Sequence, residues 1–197
     1  MEVNDHVLKY AGKGNLTGLI DLKSKGVNIL KEKDGAGTNA LMTACYWGHL
    51  EVVKYLIELG SSVEDKNSNG LMPILFACDS GMYKVIEVLI QNGADPNVVN
   101  ADNETALMIA CMSANEKTVD ILLDAGVNAS FQDCAGYTAA MYTAFNQDQA
   151  AGVRNLKLLV DAGVDTSIVN GEGKSLFDYA QENDKKLILK YLSLVGS

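Results

Sequence analysis

The stretch Gly48-His49-Leu50-Glu51-Val52-Val53-Lys54-Tyr55-Leu56-Ile57-Glu58-Leu59-Gly60 decides how the chain reads. Val52, Val53, Leu56 and Ile57 fall at helical spacing, which predicts one short amphipathic helix. Gly60 closes it, because glycine enters the left-handed C-terminal cap without Cβ strain. Upstream, Leu41, Ala44 and Cys45 repeat the spacing and predict a partner helix that ends before Gly48. A lone pair of such helices cannot bury both sides of its apolar stripe, so the pattern requires neighbours of the same kind.

Those neighbours are present. Gly60, Gly93 and Gly126 are 33 residues apart, Gly26 precedes Gly60 by 34, and Gly163 follows Gly126 by 37. Leu22, Leu56, Leu89, Leu122, Leu159 and Leu192 keep step with them. So do Gly37, Gly70, Gly136 and Gly173, with Asn103 in the remaining slot. Asn39, Thr105, Thr138 and Ser175 stand where a side-chain oxygen can cap a helix start. At the equivalent point Met72 is followed by Pro73, whose missing N–H costs nothing at a first helical position. Connections such as Asp65-Lys66-Asn67-Ser68-Asn69-Gly70 have turn chemistry.

The expected architecture is therefore an all-α solenoid of stacked helix–turn–helix units joined by turns. It reads as a single domain over 1–197, with an N-terminal cap at 1–33, units at 34–66, 67–99 and 100–132, and a C-terminal cap at 170–197. The unit at 133–169 carries four extra residues near Asn146–Gly152, between its helices. No Pro-rich or Ser/Gly-rich linker divides the chain, and its 48% hydrophobic content suits a core rather than disorder.

Sixteen basic residues against 25 acidic ones give a formal charge of −9, which opposes nucleic-acid phosphate and anionic lipid as partners. Residues 1–33 carry six lysines against four acids, a mildly basic end read as a solvated face. No apolar run approaches the roughly 18 residues of a membrane span. The start, Met-Glu-Val-Asn-Asp, lacks the charge and apolar run of a leader. A cytoplasmic monomer is expected.

Several motifs copy chemistry without completing it. Asp65-x-Asn67-x-Asn69-Gly70 matches half of a calcium loop, but Phe76 occupies the position of the closing bidentate carboxylate. Gly171-Glu172-Gly173-Lys174-Ser175 ends like a phosphate loop, with Ile168 where an earlier glycine is needed. Cys45, Cys78 and Cys111 are one position repeated every 33 residues and read as small buried hydrophobes rather than a metal triad. Cys134 lies in a connecting turn. His6 and His49 have no nucleophile in motif context. No catalytic residue, cofactor or metal is expected.

Gly48-His49 through Gly60, Asn92-Gly93-Ala94-Asp95-Pro96-Asn97 and Glu104-Thr105-Ala106-Leu107-Met108-Ile109-Ala110 together resemble the ankyrin repeat pattern across nearly the whole chain. The chain departs from that pattern where the family keeps a histidine. Here stand Met42, Leu75, Met108, Met141 and Asp178, implying apolar packing or, last, an acid. Asp184, Lys185, Lys186 and Lys190 suggest a last helix that is polar on its outer side, as a capping repeat requires. The resemblance implies protein binding through turn tips and the concave face formed by the inner surface of the first helices. Carried over by position, the contact residues are Tyr46, Trp47, Leu71, Asp79, Asp102, Glu104, Met112, Tyr137 and Phe145. The large apolar members would form an aromatic strip on an acidic background, with Trp47 as anchor. Ile109, Tyr142 and Tyr179, one helical turn away, are expected to be half-buried structure. The alternatives are a structural or self-associating protein, or an enzyme regulator.

If the leucine register is right, Leu122→Ala should lower stability by roughly 2–5 kcal/mol, lost burial plus a cavity. The urea midpoint measures this, and a melt that overlays wild type contradicts the register.

Overall fold

The computed structural model describes residues 3–113 and 115–195, with side chains from His6 onward, so the extreme ends of the first and last sequence units lie outside the described residues. Among the described residues there are twelve helices, in consecutive pairs, and no strand. The contacts divide them into two compact units, Met1–Ala101 and Asp102–Ser197. The first contains α1 (Val3–Gly12), α2 (Leu16–Ser24), α3 (Ala40–Tyr46), α4 (Leu50–Glu58), α5 (Pro73–Asp79) and α6 (Tyr83–Gln91). The second contains α7 (Ala106–Met112), α8 (Glu116–Asp124), α9 (Ala139–Phe145), α10 (Gln149–Asp161), α11 (Leu176–Glu182) and α12 (Lys186–Val195).

Each unit is an all-α solenoid built from helix–turn–helix pairs. In the first, α1 packs on α3 and α3 on α5, with α2, α4 and α6 forming the second layer. In the second, α7, α9 and α11 form one layer and α8, α10 and α12 the other. In each unit the periodic leucines lie in the second of these layers. Leu56, Leu89, Leu122 and Leu159 are 0% exposed, while Leu22 in α2 and Leu192 in α12 are half-buried. Met42, Leu75, Met108 and Met141 are buried in the slot where the family keeps histidine, and of these Met108 still accepts the Thr105 N–H through its sulfur at 3.3 Å. Asp178 instead stays exposed and closes a reciprocal cap with Ser175 at the start of α11.

The connections repeat as faithfully as the helices. At the turn tips Gly37, Gly70, Gly136 and Gly173 have φ between +74° and +83°, and Asn103 fills the fifth slot at +59°. Asparagine is the side chain that best tolerates this left-handed region. Successive tips within a unit join through their backbones: Ser68 donates to the Ala36 carbonyl, Cys134 to that of Asp102, and Gly171 to that of Ala135. At Gly136 a Cβ would lie 2.6 Å from the Gly171 nitrogen, so that tip needs glycine for space as well as for φ.

Three expectations change. Asn39, Thr105 and Ser175 accept a backbone N–H at their helix starts, but Thr138 makes no side-chain cap and is instead buried. The extra residues near Asn146–Gly152 do not form a loop alone: they lengthen α10 to 13 residues, against nine in α8, and Asp148 caps it. The outer side of the last pair is not uniformly polar either. Lys185 turns inward to the Asn146 carbonyl, while Phe177 (48%) and Leu194 (68%) are exposed. Phe177 occupies the slot of Leu41, Ile74, Leu107 and Ala140, all buried in the preceding pairs. With Val160, Val164, Val169, Leu192 and Val195 it lines a shallow cavity of about 560 Å³.

Asn103→Ala should cost about 1 kcal/mol in chemical denaturation, because alanine has no local compensation in the left-handed region. Asn103→Gly should match or exceed wild type. Equal midpoints for both variants would show that the tip carries no conformational cost.

Candidate functional site

In the first unit Ile20 (46% exposed) stands on α2, while two exposed large apolar side chains stand together at the end of α3. The helix buries Ala40, Leu41, Met42, Ala44 and Cys45 and then presents Tyr46 (39% exposed) and Trp47 (58% exposed) to solvent. Their rings meet edge to face at 5.3 Å, and Tyr46 makes a second edge contact with Phe76 of α5 at 6.5 Å. Gly12, at the end of α1, borders the indole: a Cβ there would be in ordinary contact with the Trp47 ring at 3.4 Å and closer, 3.2 Å, to Thr43 Cγ2. One side of the indole is thus supported while the rest faces water. Leu71 is half-buried in its turn, where its N–H is held by the Asn67 side chain, and Asp79 is exposed at the end of α5.

In the second unit Met112 is exposed (41%) at the end of α7 and Asp102 is exposed at a tip, whereas Glu104, Tyr137 and Phe145 are half-buried. The aromatic side chains here form a cluster. Phe145 contacts Tyr137 at 5.3 Å, Tyr142 at 5.0 Å and Tyr179 at 5.0 Å, and Tyr137 meets Tyr179 edge-on at 6.2 Å. Behind the cluster, the buried Tyr142 directs its hydroxyl at two carboxylates, Oε1 of Glu104 at 2.6 Å and Oδ2 of Asp133 at 2.9 Å. Burial first, and then both carboxylates, hold the Tyr142 phenol far above its ordinary range. Ile109 and Tyr142 are more deeply buried than half-buried structure, and Tyr179 is half-buried.

Sequence reasoning passed over Phe76 and Asp133. In the sequence Phe76 reads only as the residue standing in place of a calcium ligand, although it lies one helical turn before the exposed end of α5. Asp133 belongs to a turn slot shared with Asp34, Asn67 and Asn170. In each, Oδ1 accepts two backbone N–H groups of the tip. That common structural duty hid the second oxygen, which reaches Tyr142.

Groups with chemical reactivity are used structurally. His49 places Nε2 3.0 Å from the Gly12 carbonyl, tying α1 to the following pair. Cys45, Cys78 and Cys111 are 0% exposed, and burial pushes their thiols well above the ordinary range; Cys134 is exposed. Among the described residues no helix is long and apolar enough to cross a membrane.

The model for the family "Ankyrin repeats (3 copies)" matches residues 8–100, 77–166 and 107–196. The chain belongs to the ankyrin repeat family. No curated protein matches it in sequence. Among solved structures the ankyrin chain is similar to a chain in the complex of the Bd0816 predatory endopeptidase from Bdellovibrio bacteriovorus with immunity protein Bd3460. The TM-score is 0.83 at 27% identity, over 96% of this chain and 97% of that one.

The burial pattern sets thiol reactivity. In the native protein an aromatic disulfide reagent should titrate Cys134 alone, and Cys134→Ser should abolish that fast phase. Rapid reaction of further thiols would show that the repeated cysteine slot opens to solvent.

Proposed function

We propose that this ankyrin protein is a non-catalytic recognition module that grips a protein partner with its turn tips and the inner ends of its first helices. One observation carries the reading: Trp47 is 58% exposed at the end of a helix whose other apolar side chains, Tyr46 apart, are buried. An indole supported on one side and solvated on the other is an anchor without its pocket, and Trp and Tyr dominate binding hot spots. In the first unit Tyr46 and Leu71 join Trp47 as contact residues, with Asp79 as the acidic neighbour. In the second unit the contact residues are Met112, Tyr137 and Phe145, with Asp102 and Glu104 as the acids. In this reading the chain acts as a cytoplasmic monomer and uses no cofactor.

A second reading concerns what binding does. The structural neighbour is an immunity protein in complex with an endopeptidase. That supports a role in which this chain holds a partner enzyme inactive.

The test is a crosslinking pulldown from native extract with wild type and Trp47→Ala in parallel, followed by calorimetry with the purified partner. Trp47→Ala should weaken binding by at least about 2 kcal/mol and leave the thermal melt nearly unchanged. Equal losses of stability and affinity would make Trp47 a core residue and remove the proposal's support. Assaying the captured partner with and without one equivalent of the chain tests the regulatory reading: undiminished activity excludes it.

A further inference from the structure

We propose that Asn69 is a site of spontaneous deamidation, where the following backbone nitrogen displaces the side-chain amide and leaves aspartate or isoaspartate at the tip of a turn. The inference goes beyond the recognition reading and does not depend on it.

The chemistry needs only the chain and water. The amide nitrogen of the next residue gives up its proton to hydroxide and attacks Cγ of the asparagine. A five-membered succinimide closes, and the side-chain nitrogen leaves as ammonia. Water then opens the ring at either carbonyl, which yields aspartate, or isoaspartate with an extra methylene in the backbone. Nothing is oxidised or reduced, and each event turns a neutral side chain into a carboxylate. Glycine in the following position assists, because no Cβ crowds the attacking nitrogen.

Three asparagines precede glycine: Asn69-Gly70, Asn92-Gly93 and Asn170-Gly171. In all three the glycine N–H is bonded, to the carbonyls of Asn67 at 3.0 Å, Ile90 at 3.0 Å and Ala135 at 2.8 Å. The asparagine side chains are what differ. Asn170 is buried, and its Oδ1 holds the N–H groups of Glu172 and Lys174, both at 3.0 Å. Asn92 is exposed at the end of α6, but its Nδ2 donates to the Val88 carbonyl at 2.8 Å. Asn69 is exposed, and its side chain makes no hydrogen bond among the described residues. The turn explains this freedom: Asn67, two residues earlier, supplies the Oδ1 that takes the N–H groups of Asn69 and Leu71. Reaction at Asn69 therefore has one backbone bond to open, whereas Asn92 and Asn170 must also give up side-chain bonds. Each bond adds to the barrier, so Asn69 ranks first.

The fold has room for the product. Asn69 fills the slot before the left-handed tip residue, and its equivalents are Ala36, Asp102, Ala135 and Glu172. Two of these are acids, so aspartate at this point suits the turn. Leu71 stands two residues on, and the new charge arises beside that member of the contact set proposed above.

The full chain would be kept in mildly alkaline buffer for weeks and sampled by peptide mapping with mass detection, which separates aspartyl and isoaspartyl products from the parent. Asn69 should convert at least about fivefold faster than Asn92 or Asn170, the factor that one net hydrogen bond represents. Its rate should rise with hydroxide concentration. In guanidinium chloride, where the turn no longer exists, the three rates should converge. Asn69→Gln should remove the fast conversion, because the longer side chain would have to close a six-membered ring. Asn69→Asp should melt with wild type. The assignment is overturned if native Asn69 converts no faster than Asn92 or Asn170, or if the same ranking persists in denaturant, since sequence rather than structure would then set it. Fast conversion at this tip in Asn69→Gln, or a destabilised Asn69→Asp, would overturn it as well.

Discussion

Everything in this molecule depends on burying one helix pair against the next. A seven-residue helix such as α3 or α7 is about 10 Å long, too short to be stable alone in water. Its stability comes from covering both flanks. Leu41, Met42, Ala44 and Cys45 reach complete or nearly complete burial because other helices in the unit lie against them, and Leu107, Met108, Ala110 and Cys111 are buried likewise. Small residues recur where helices approach, which explains why cysteine and alanine alternate in slots that could hold reactive chemistry and do not. The cysteines are filler of the right volume.

That constraint also explains which parts of the fold were legible in the sequence. The tip slot demands a left-handed backbone, and the chain answers with glycine four times and asparagine once, so the turns are legible from residue type alone. The leucine ladder was equally readable, since its burial depends on a neighbour and neighbours recur at fixed intervals. What could not be read were features set by a particular partner side chain. Thr138 looks like a cap but is buried without serving as one. The extra residues of the long unit extend α10, an outcome governed by how Asp148 captures the helix start. The last pair exposes Phe177 in a slot whose occupants in the preceding pairs are buried.

Legibility of the candidate site was split in the same way. Position within the repeat identified the exposed ends of the first helices, and Tyr46, Trp47 and Met112 stand there with free surface. Tyr137 and Phe145 also stand at equivalent positions, but their exposure is reduced by packing on each other and on Tyr179. Convergence of Glu104, Asp133 and Tyr142 joins residues up to 38 positions apart, and no periodicity encodes a side-chain hydrogen bond between unlike slots.

The shared turn slot at Asp34, Asn67, Asp133 and Asn170 has a consequence for how such a protein can change over generations. Folding asks only for Oδ1, and aspartate and asparagine both provide it. Their codons differ by a single nucleotide. One mutation can therefore switch the sign of attraction at a tip on or off while the backbone stays as it was. Affinity for a drifting partner can be retuned by small heritable steps, with the architecture held outside the reach of that selection.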